Sequence, residues 1–347
     1  MKENNKNNFD AVRIVLALIV FFSHLRELTD AQQFNWFQGV FDANFAVRGF
    51  FAISGYLVTK SYLSSESITD YLTKRARRIY PAYVAAVLFS LFVGALTTTL
   101  TLGDFFTSIE SVRYIASNLL LLNFLQPTLP GALNTNTLHE LNSSLWTIKV
   151  EIMLYLCVPL LAYLFNRFKS ISVAVFALIF LMSTSWVYFF QFVYDAAYGE
   201  TIAVQFIGQL SYFGFGALIA CNRATEEKLI YIAVLSVASI YLMGTASARV
   251  FLNPICYTAV VILAAISPVR LPNFGKYGDV SYGIYLYHFP TIQLLVHIGV
   301  FSLNPWLGLG LALLMTCSLA FLSWHLIEKK MLRRTSHYLK AAITPGN

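Results

Sequence analysis

Three ionisable side chains lie in the first apolar stretch of the sequence, FDAVRIVLALIVFFSH, which ends at His24. Arg13 and His24 are eleven residues apart, so they share one face of a helix, about 16 Å apart along its axis. Asp10 lies one turn before Arg13. Because such groups are costly in lipid, we expect this face to line a polar cavity. The alternative is an Asp10–Arg13 pair at the inner surface with a structural His24, and the spacing does not decide between them.

A carboxylate is predicted to reach the depth of His24 from another helix. The segment NSSLWTIKVEIMLY enters from the outer side, which places Glu151 about 9 Å below the outer surface, level with His24. Glu151 could then orient His24 as a general base and support its protonated form. The alternative is that Glu151 pairs with Lys149 or Arg48. Lys149 points about 200° away around the helix, which leaves Arg48 as the stronger competitor.

A basic cluster follows the second apolar stretch, in YLTKRARRIYPAY. Arg75 and Arg78 stand at positions i and i+3, and at the inner mouth of a helical bundle such a pair suits a polyphosphate. The alternative is a topology anchor, which we prefer for Lys74 and Arg77. Pro81 is predicted to lie in the first turn of the third membrane span.

The segment VSYGIYLYHFP carries a polar face near the end of the chain. Ser281, Tyr285 and His288 follow helical spacing, and a histidine in the middle of a span is a candidate for function. Glu328 lies at the inner end of the last apolar stretch. For this residue the alternative to a functional role is a topological or structural one. No histidine has metal-ligand spacing with another His, Cys or acid, so no metal site is predicted.

Composition identifies the elements that must position these residues. The 347 residues are 57% hydrophobic, 12% charged and have a mean hydropathy of +0.63, whereas soluble proteins carry about 25% charged residues. We expect an all-α polytopic membrane bundle of about ten transmembrane helices. The predicted spans are 9–27, 44–63, 80–101, 144–165, 171–192, 204–221, 229–246, 250–267, 279–300 and 305–327. The segment 111–125 is predicted to be a partly buried or interfacial helix in a long outer loop.

The distribution of basic residues gives the orientation. Of the 24 Lys and Arg residues, 18 fall on one side of this arrangement, three on the other and three within spans. By the positive-inside rule both termini are cytoplasmic, which also explains the net charge of +7 without nucleic acid. We expect the first helix to be retained rather than cleaved as a signal peptide. Residues 1–347 are predicted to form one integral-membrane domain.

Six marks spread along the chain resemble the acyltransferase-3 family of bacterial membrane O-acyltransferases. Each is weak alone, but their order on a ten-span frame is specific. Two positions depart from the family pattern: Arg48 stands where an acidic residue is frequent, and Lys follows Glu328 in place of Pro. The marks are Arg13-x10-His24, FFAISGYLV with Ser54, Arg75-x-x-Arg78, SLWTIKVEIMLY with Trp146 and Glu151, SYGIYLYHFP with His288, and the terminal HLIEKKML.

The resemblance implies transfer of an acyl group, commonly acetyl from cytoplasmic acetyl-CoA, to a sugar hydroxyl presented across the bacterial cytoplasmic membrane. It implies catalytic importance for Arg13 and His24, and for Arg75 and Arg78 as acyl-CoA ligands. No permanently bound cofactor is expected. The expected partners are acetyl-CoA, membrane lipids and a lipid-linked or polymeric glycan, together with a separate extracytoplasmic protein as an option.

We therefore expect an O-acetyltransferase in which His24, Glu151 and Arg13 are catalytic. The sequence does not identify the acceptor, which could be O-antigen of lipopolysaccharide, capsule, exopolysaccharide, peptidoglycan or a small glycosylated metabolite. It also does not distinguish transfer of an acetyl group from transfer of a longer acyl group. Direct transfer and a covalent acyl-enzyme also stay open. The competing class is a transporter or flippase, since buried charge marks transport pathways too. The groups expected to line the polar cavity are Asp10, Arg48, Ser54, Trp146, Tyr285 and His288.

Overall fold

The computed structural model describes residues 7–194, 196–243, 245–269, 271 and 278–332. Every regular element among these residues is a helix, so the predicted all-α architecture is confirmed. Ten of these helices have 15 residues or more. They are α1 (Phe9–Leu28), α2 (Ala43–Leu63), α3 (Ile68–Thr97), α4 (Trp146–Arg167), α5 (Ser172–Tyr188), α6 (Phe206–Cys221), α7 (Leu229–Met243), α8 (Ala246–Ile266), α9 (Ser281–His297) and α10 (Pro305–Ser323).

Each predicted span overlaps one of these ten helices. Within the described part of the chain, six helical stretches are long and apolar enough to cross a membrane, and they contain α3, α4, α5, α6, α8 and α10. The total of ten membrane crossings stays a prediction. Some basic residues used for the orientation lie outside the described part of the chain: Lys2, Lys6, Arg270, Lys276, Arg333, Arg334 and Lys340.

The predicted start of the third helix is wrong. Helix α3 begins at Ile68 rather than near residue 80, so Pro81 lies inside it and not in its first turn. The start is marked by Ser67, whose Oγ accepts a hydrogen bond from the backbone N–H of Asp70 at 3.1 Å. A serine followed three residues later by an acid is a capping signature. Arg75 and Arg78 therefore lie on the helix that enters the apolar region.

Shorter helices fill the connections. The helix Ile109–Leu119 lies in the long loop between α3 and α4, as predicted, and buries Tyr114. A π-helical turn, Trp324–Glu328, continues α10 and brings Glu328 into the protein interior. The other short helical segments are Gln32–Gly39, Leu102–Thr107, Asn123–Leu125, Ser143–Leu145, Lys169–Ile171, Phe189–Val193, Gly199–Ala203, Arg223–Glu227, Val300–Leu303 and Lys329–Met331.

The chain forms two compact units, each assembled from three segments. The first contains Met1–Val12, Asn44–Thr73 and Val150–Leu271. Within it α6 packs against α5 and α8, and α8 packs against α7. Helices α2 and α6 meet through glycines, because a Cβ on Gly55 would lie 2.1 Å from the carbonyl oxygen of Phe213, and one on Gly216 would lie 2.3 Å from that of Ala52. Small residues of this kind allow membrane helices to approach closely.

Replacing Gly55 with alanine is expected to lower the free energy of unfolding by about 1–3 kcal/mol, because backbone atoms must move to admit the methyl group. Denaturation of the purified protein in mixed micelles measures this. The matched control is Gly310→Ala, since a Cβ at Gly310 would have no atom within 4 Å other than those of its chain neighbours and its own helix backbone. Equal stability of the two variants would contradict the close contact between α2 and α6.

The second unit contains Arg13–Ala43, Lys74–Lys149 and Pro272–Asn347. Its α9 is almost entirely buried and packs against α10, where a Cβ on Gly283 would lie 2.7 Å from the Cα of Ala320. An aromatic and aliphatic core joins the end of α1, the segment Gln32–Gly39, α9 and α10. Its members are Phe21, Leu25, Leu28, Phe34, Phe37, Phe289, Ile292, Leu295, Phe301 and Ala312.

Candidate active site

Two histidines meet within the second unit. Nδ1 of His24 on α1 lies 2.8 Å from Nε2 of His288 on α9, and the two ring planes are within 2° of parallel. His288 is completely buried, whereas His24 is half-buried. The rings of Phe21 and Phe289 pack beside the pair. The histidine pair therefore lies in a largely apolar setting.

Hydrogen bonds to the backbone determine the proton positions in this pair. Nδ1 of His288 lies 2.8 Å from the carbonyl oxygen of Tyr285 and 3.1 Å from that of Ile284. A carbonyl oxygen only accepts, so Nδ1 of His288 carries the hydrogen and its Nε2 offers a lone pair. Nδ1 of His24 then donates to that Nε2. Neutral His24 is left with a lone pair on its own Nε2, as a general base requires.

The first turn of α4 and the residues just before it contact α9 beside the histidines. Ser144 Oγ lies 3.4 Å from Nε2 of His288, and the Tyr285 hydroxyl hydrogen bonds with Thr147 Oγ1 at 2.7 Å. The Tyr285 hydroxyl also lies 3.2 Å from the carbonyl oxygen of Ser144, and the Asn142 amide donates to the carbonyl of Leu286 at 2.9 Å. Tyr285, predicted to line the cavity, thus helps to orient His288.

The long loop before α4 is fastened to α9 one turn beyond His288. Asn136 Nδ2 donates to Gln293 Oε1 at 2.7 Å, while Gln293 Nε2 donates to the carbonyls of Leu138 and Glu140 at 2.8 and 2.9 Å. Gln293 is completely buried. These bonds fix the loop over the end of the helix that carries His288.

Glu140 in this loop gives stability a pH dependence. Burial and the neighbouring Glu27 carboxylate raise the pKa of Glu140 above its ordinary value. The folded state then binds the proton more tightly than the unfolded chain, so this carboxyl reduces stability as pH rises above its unfolded pKa of about 4.3. We expect Glu140→Gln to lessen the fall in melting temperature as pH rises from about 4 to neutral pH, by roughly 1–3 °C because solvent screens a half-exposed group.

Thermal unfolding across that pH range tests the effect of Glu140. Glu110→Gln is the control, because Glu110 is an exposed carboxyl on the same loop. An identical pH profile for wild-type protein and Glu140→Gln would refute the assignment.

A second constellation, the arginine–carboxylate network, lies at the other end of α1 and α9. Asp279 Oδ2 lies 3.0 Å from Nη1 of Arg13 and 2.5 Å from Nη2 of Arg78, while Nη1 of Arg78 lies 2.5 Å from Oε2 of Glu328. Asp279 and Glu328 are only 4% and 1% exposed. Two buried carboxylates therefore balance two guanidinium groups, which makes the charges tolerable away from water.

Backbone geometry places the acids of this network. Gly278 has a φ of +107°, and a Cβ there would lie 2.0 Å from the indole nitrogen of Trp324, so only glycine fits before Asp279. The guanidinium of Arg78 lies 5.4 Å from the ring centre of Tyr282 and 5.5 Å from that of Trp324. Two carboxylates and two aromatic rings thus hold Arg78 in one position.

The two constellations require α1 and α9 to run in the same direction. Arg13 and His24 are about 16 Å apart along α1, and Asp279 and His288 about 14 Å apart along the other chain segment. The Arg13–Asp279 contact and the His24–His288 contact can form together only when the two helices are parallel. Parallel helices imply an odd number of crossings between them, which agrees with the seven predicted spans that intervene.

The other predicted residues divide between the two units. In the first unit Ser54 donates to Glu151 Oε1 at 3.1 Å, and the Tyr155 hydroxyl donates to the same oxygen. Arg48 and Asp10 belong to this unit as well. Arg75 and the half-buried Trp146 belong to the second. The partner of His24 Nδ1 is His288, and the catalytic role of Glu151 stays a prediction.

Two residues of the arginine–carboxylate network were not predicted as site residues. Asp279 lies nine residues before His288, and Glu328 is an acid at the edge of an apolar span. Ionisable residues at such places are a signal for function or for buried pairing. Spacing along one helix does not identify the arginines that they meet.

Comparison with known proteins agrees with the resemblance noted in the sequence. The chain matches the acyltransferase domain model of the acyltransferase-3 family over residues 6–325. It is 27% identical over 337 residues to an O-acetyl transferase of Shigella phage Sf6, covering 96% of this chain and 98% of that protein. It is 31% identical over 358 residues to nodulation protein 10 of Rhizobium leguminosarum bv. viciae, covering 96% and 95%. No solved structure matches.

The family match spans most of the 347 residues. Together with the long apolar helices, it indicates a multi-pass membrane protein that transfers acyl groups. The chain belongs to the acyltransferase-3 family of membrane acyltransferases.

Proposed function

We propose that the protein is an O-acetyltransferase of the bacterial cytoplasmic membrane that moves an acetyl group from acetyl-CoA to a hydroxyl of a surface glycan such as O-antigen or exopolysaccharide. The observation that carries this proposal is the histidine pair. Its hydrogen bonds leave Nε2 of His24 as a proton acceptor. The name of the phage relative, O-acetyl transferase, supports the choice of the transferred group.

In the proposed reaction Nε2 of His24 removes the proton of the acceptor hydroxyl. The oxygen attacks the thioester carbonyl of acetyl-CoA, a C–O bond forms, and the C–S bond then breaks. The leaving sulfur takes the proton back from His24, which gives free CoA and an O-acetyl ester. His288, which accepts the Nδ1 hydrogen of His24, and Tyr285, whose backbone carbonyl accepts from His288, act as positioning residues, since neither touches the reacting atoms.

The donor is proposed to enter from the cytoplasm. Arg75 and Arg78, one turn apart on α3, would meet its phosphates, as the arginine fork suits such groups. The pantetheine arm would extend beyond Arg13 for about 16 Å along α1 to bring the thioester to His24. Arg78 already contacts Asp279 and Glu328, which hold its guanidinium in place. A bound phosphate would therefore share this guanidinium with the two carboxylates.

The acceptor is proposed to arrive at the outer end of α1. A lipid-linked or polymeric glycan would present its hydroxyl to His24 there, alone or with a separate extracytoplasmic protein. Glu151 is kept as a proposed catalytic carboxylate, and its partners Ser54 and Tyr155 hold it in one orientation.

Turnover of acetyl-labelled acetyl-CoA by the purified protein in nanodiscs tests this function. We expect free CoA together with label on an added cell-surface glycan, and mass spectrometry of surface glycans should show acetyl groups that disappear when the gene is deleted. An intact thioester in the presence of acceptor, as expected of a transporter, would overturn the proposal. Label retained on the protein after denaturation would indicate an acyl-enzyme and overturn direct transfer.

A further inference from the structure

A cavity of about 260 Å³ lies entirely within the first unit. None of the residues that line it has a role in the proposed acetyl transfer. It is lined by the first turns of α2, α6 and α8 and by the end of α5. In the predicted topology all four of these helix ends face the outer side of the membrane. The cavity is smaller than a typical drug site of roughly 300–1,000 Å³, so it suits one small polar unit.

The lining of this cavity is positively charged. Arg48 and Arg249 contribute two guanidinium groups, and none of the sixteen lining residues is acidic. Arg48 is half-buried with its guanidinium 5.5 Å from the ring centre of Tyr212, whereas Arg249 is exposed. Two arginines that share a cavity with no carboxylate favour an anionic ligand.

Two buried polar atoms in the lining point to hydroxyl groups on that ligand. Gln209 and Ser211 are 3% and 1% exposed, yet Oε1 of Gln209 and Oγ of Ser211 have no hydrogen-bond partner among the described residues. The Gln209 amide nitrogen already donates to the carbonyl of Val204 at 2.9 Å. Buried polar groups in native proteins normally find partners, so these two atoms have hydrogen-bonding capacity that hydroxyl groups in the cavity could use.

The helix that carries Arg249 offers a further acceptor. Pro254 lies inside α8 and has no N–H to give to the carbonyl of Val250, one turn earlier. Val250, Asn253 and Pro254 all line the cavity. The cavity thus combines cations with several groups that can accept hydrogen bonds.

We propose that this cavity binds one anionic sugar unit, a monosaccharide residue that carries a carboxylate or phosphate beside free hydroxyls. Arg48 and Arg249 hold the anionic group, while Gln209 Oε1 and Ser211 Oγ hydrogen bond to hydroxyls. In the enzyme proposed above, this unit belongs to the acceptor glycan. Only that last assignment rests on the proposed function.

Calorimetry on the full-length protein in phosphatidylcholine nanodiscs tests the site, with glucuronate and glucose 1-phosphate as anionic probes and glucose as the neutral one. We expect an anionic probe to bind at least tenfold more tightly than glucose. Arg48→Gln and Arg249→Gln should each weaken that binding roughly 10- to 100-fold, since each removes a charge-assisted contact. Arg113→Gln should not, because Arg113 is an exposed arginine of the outer loop in the other unit.

Three results would overturn the site: equal affinity for glucose and the anionic probes, unchanged affinity in both arginine variants, or loss of probe binding when phosphatidylglycerol is added to the nanodisc. The last would identify a lipid headgroup as the occupant. His24→Ala separates the two proposals, because it should keep probe binding and lose acetyl transfer. Probe binding by a wild-type protein that transfers no acetyl group would overturn the proposed function and support the site.

Discussion

Alanine at position 24 is expected to lower acetyl transfer by about 10²–10⁴-fold, the usual contribution of a general base. The variant should still fold, because His24 is half-buried and its hydrogen bond to His288 joins two neutral rings. The initial rate of ester formation from labelled acetyl-CoA gives the magnitude. His139→Ala is the control, since His139 is an exposed histidine of the loop between α3 and α4.

Substitutions of His288 examine how His24 is oriented. His288→Leu removes the acceptor for the Nδ1 hydrogen of His24, whereas His288→Gln can place an amide oxygen near the position of Nε2. We therefore expect His288→Gln to retain more activity than His288→Leu, with the difference in kcat rather than in KM for the donor. Full activity of His24→Ala, or equal loss in the two His288 variants with normal folding, would contradict the proposed pair.

Asparagine in place of Asp279 is expected to lower the free energy of unfolding by about 3–5 kcal/mol, the usual cost of breaking a buried ion pair. Arg13 and Arg78 lose the carboxylate that they share, and both side chains are largely buried, at 13% and 11% exposure. Denaturation of the purified protein in mixed micelles measures the effect.

Two comparisons show whether the effect comes from buried charge. Glu227→Gln removes an acid from the Arg223–Glu227 pair, whose side chains are 90% and 64% exposed, so the expected cost is below about 1 kcal/mol. Arg13→Met in the Asp279→Asn background should recover part of the lost stability, because it removes a cation left without that carboxylate. A loss from Asp279→Asn no larger than that of the surface variant would contradict the arginine–carboxylate network.

Local patterns predicted much of the fold. Apolar stretches of membrane-spanning length located all ten long helices, because a helix that buries its backbone in lipid needs a long apolar sequence. The start of α3 was misplaced, since Pro81 is also compatible with a helix interior at its entry to the apolar region. The signal that identifies the true start is the Ser67 cap.

The sequence by itself also determined which residues share a helix face. Helical periodicity puts Arg13 and His24 on one side of α1, and the cost of charge in lipid identifies both as candidates for function. Nothing in that periodicity says which neighbouring helix supplies the partner.

Only the tertiary structure decided the pairing of those faces. His24 meets His288, and Arg13 and Arg78 share Asp279, through contacts between residues more than 200 positions apart. Such contacts depend on which helices are adjacent and in which direction they run. Close packing at Gly278 and Gly283 contributes to this arrangement, because a single methyl group there would collide with Trp324 or with Ala320.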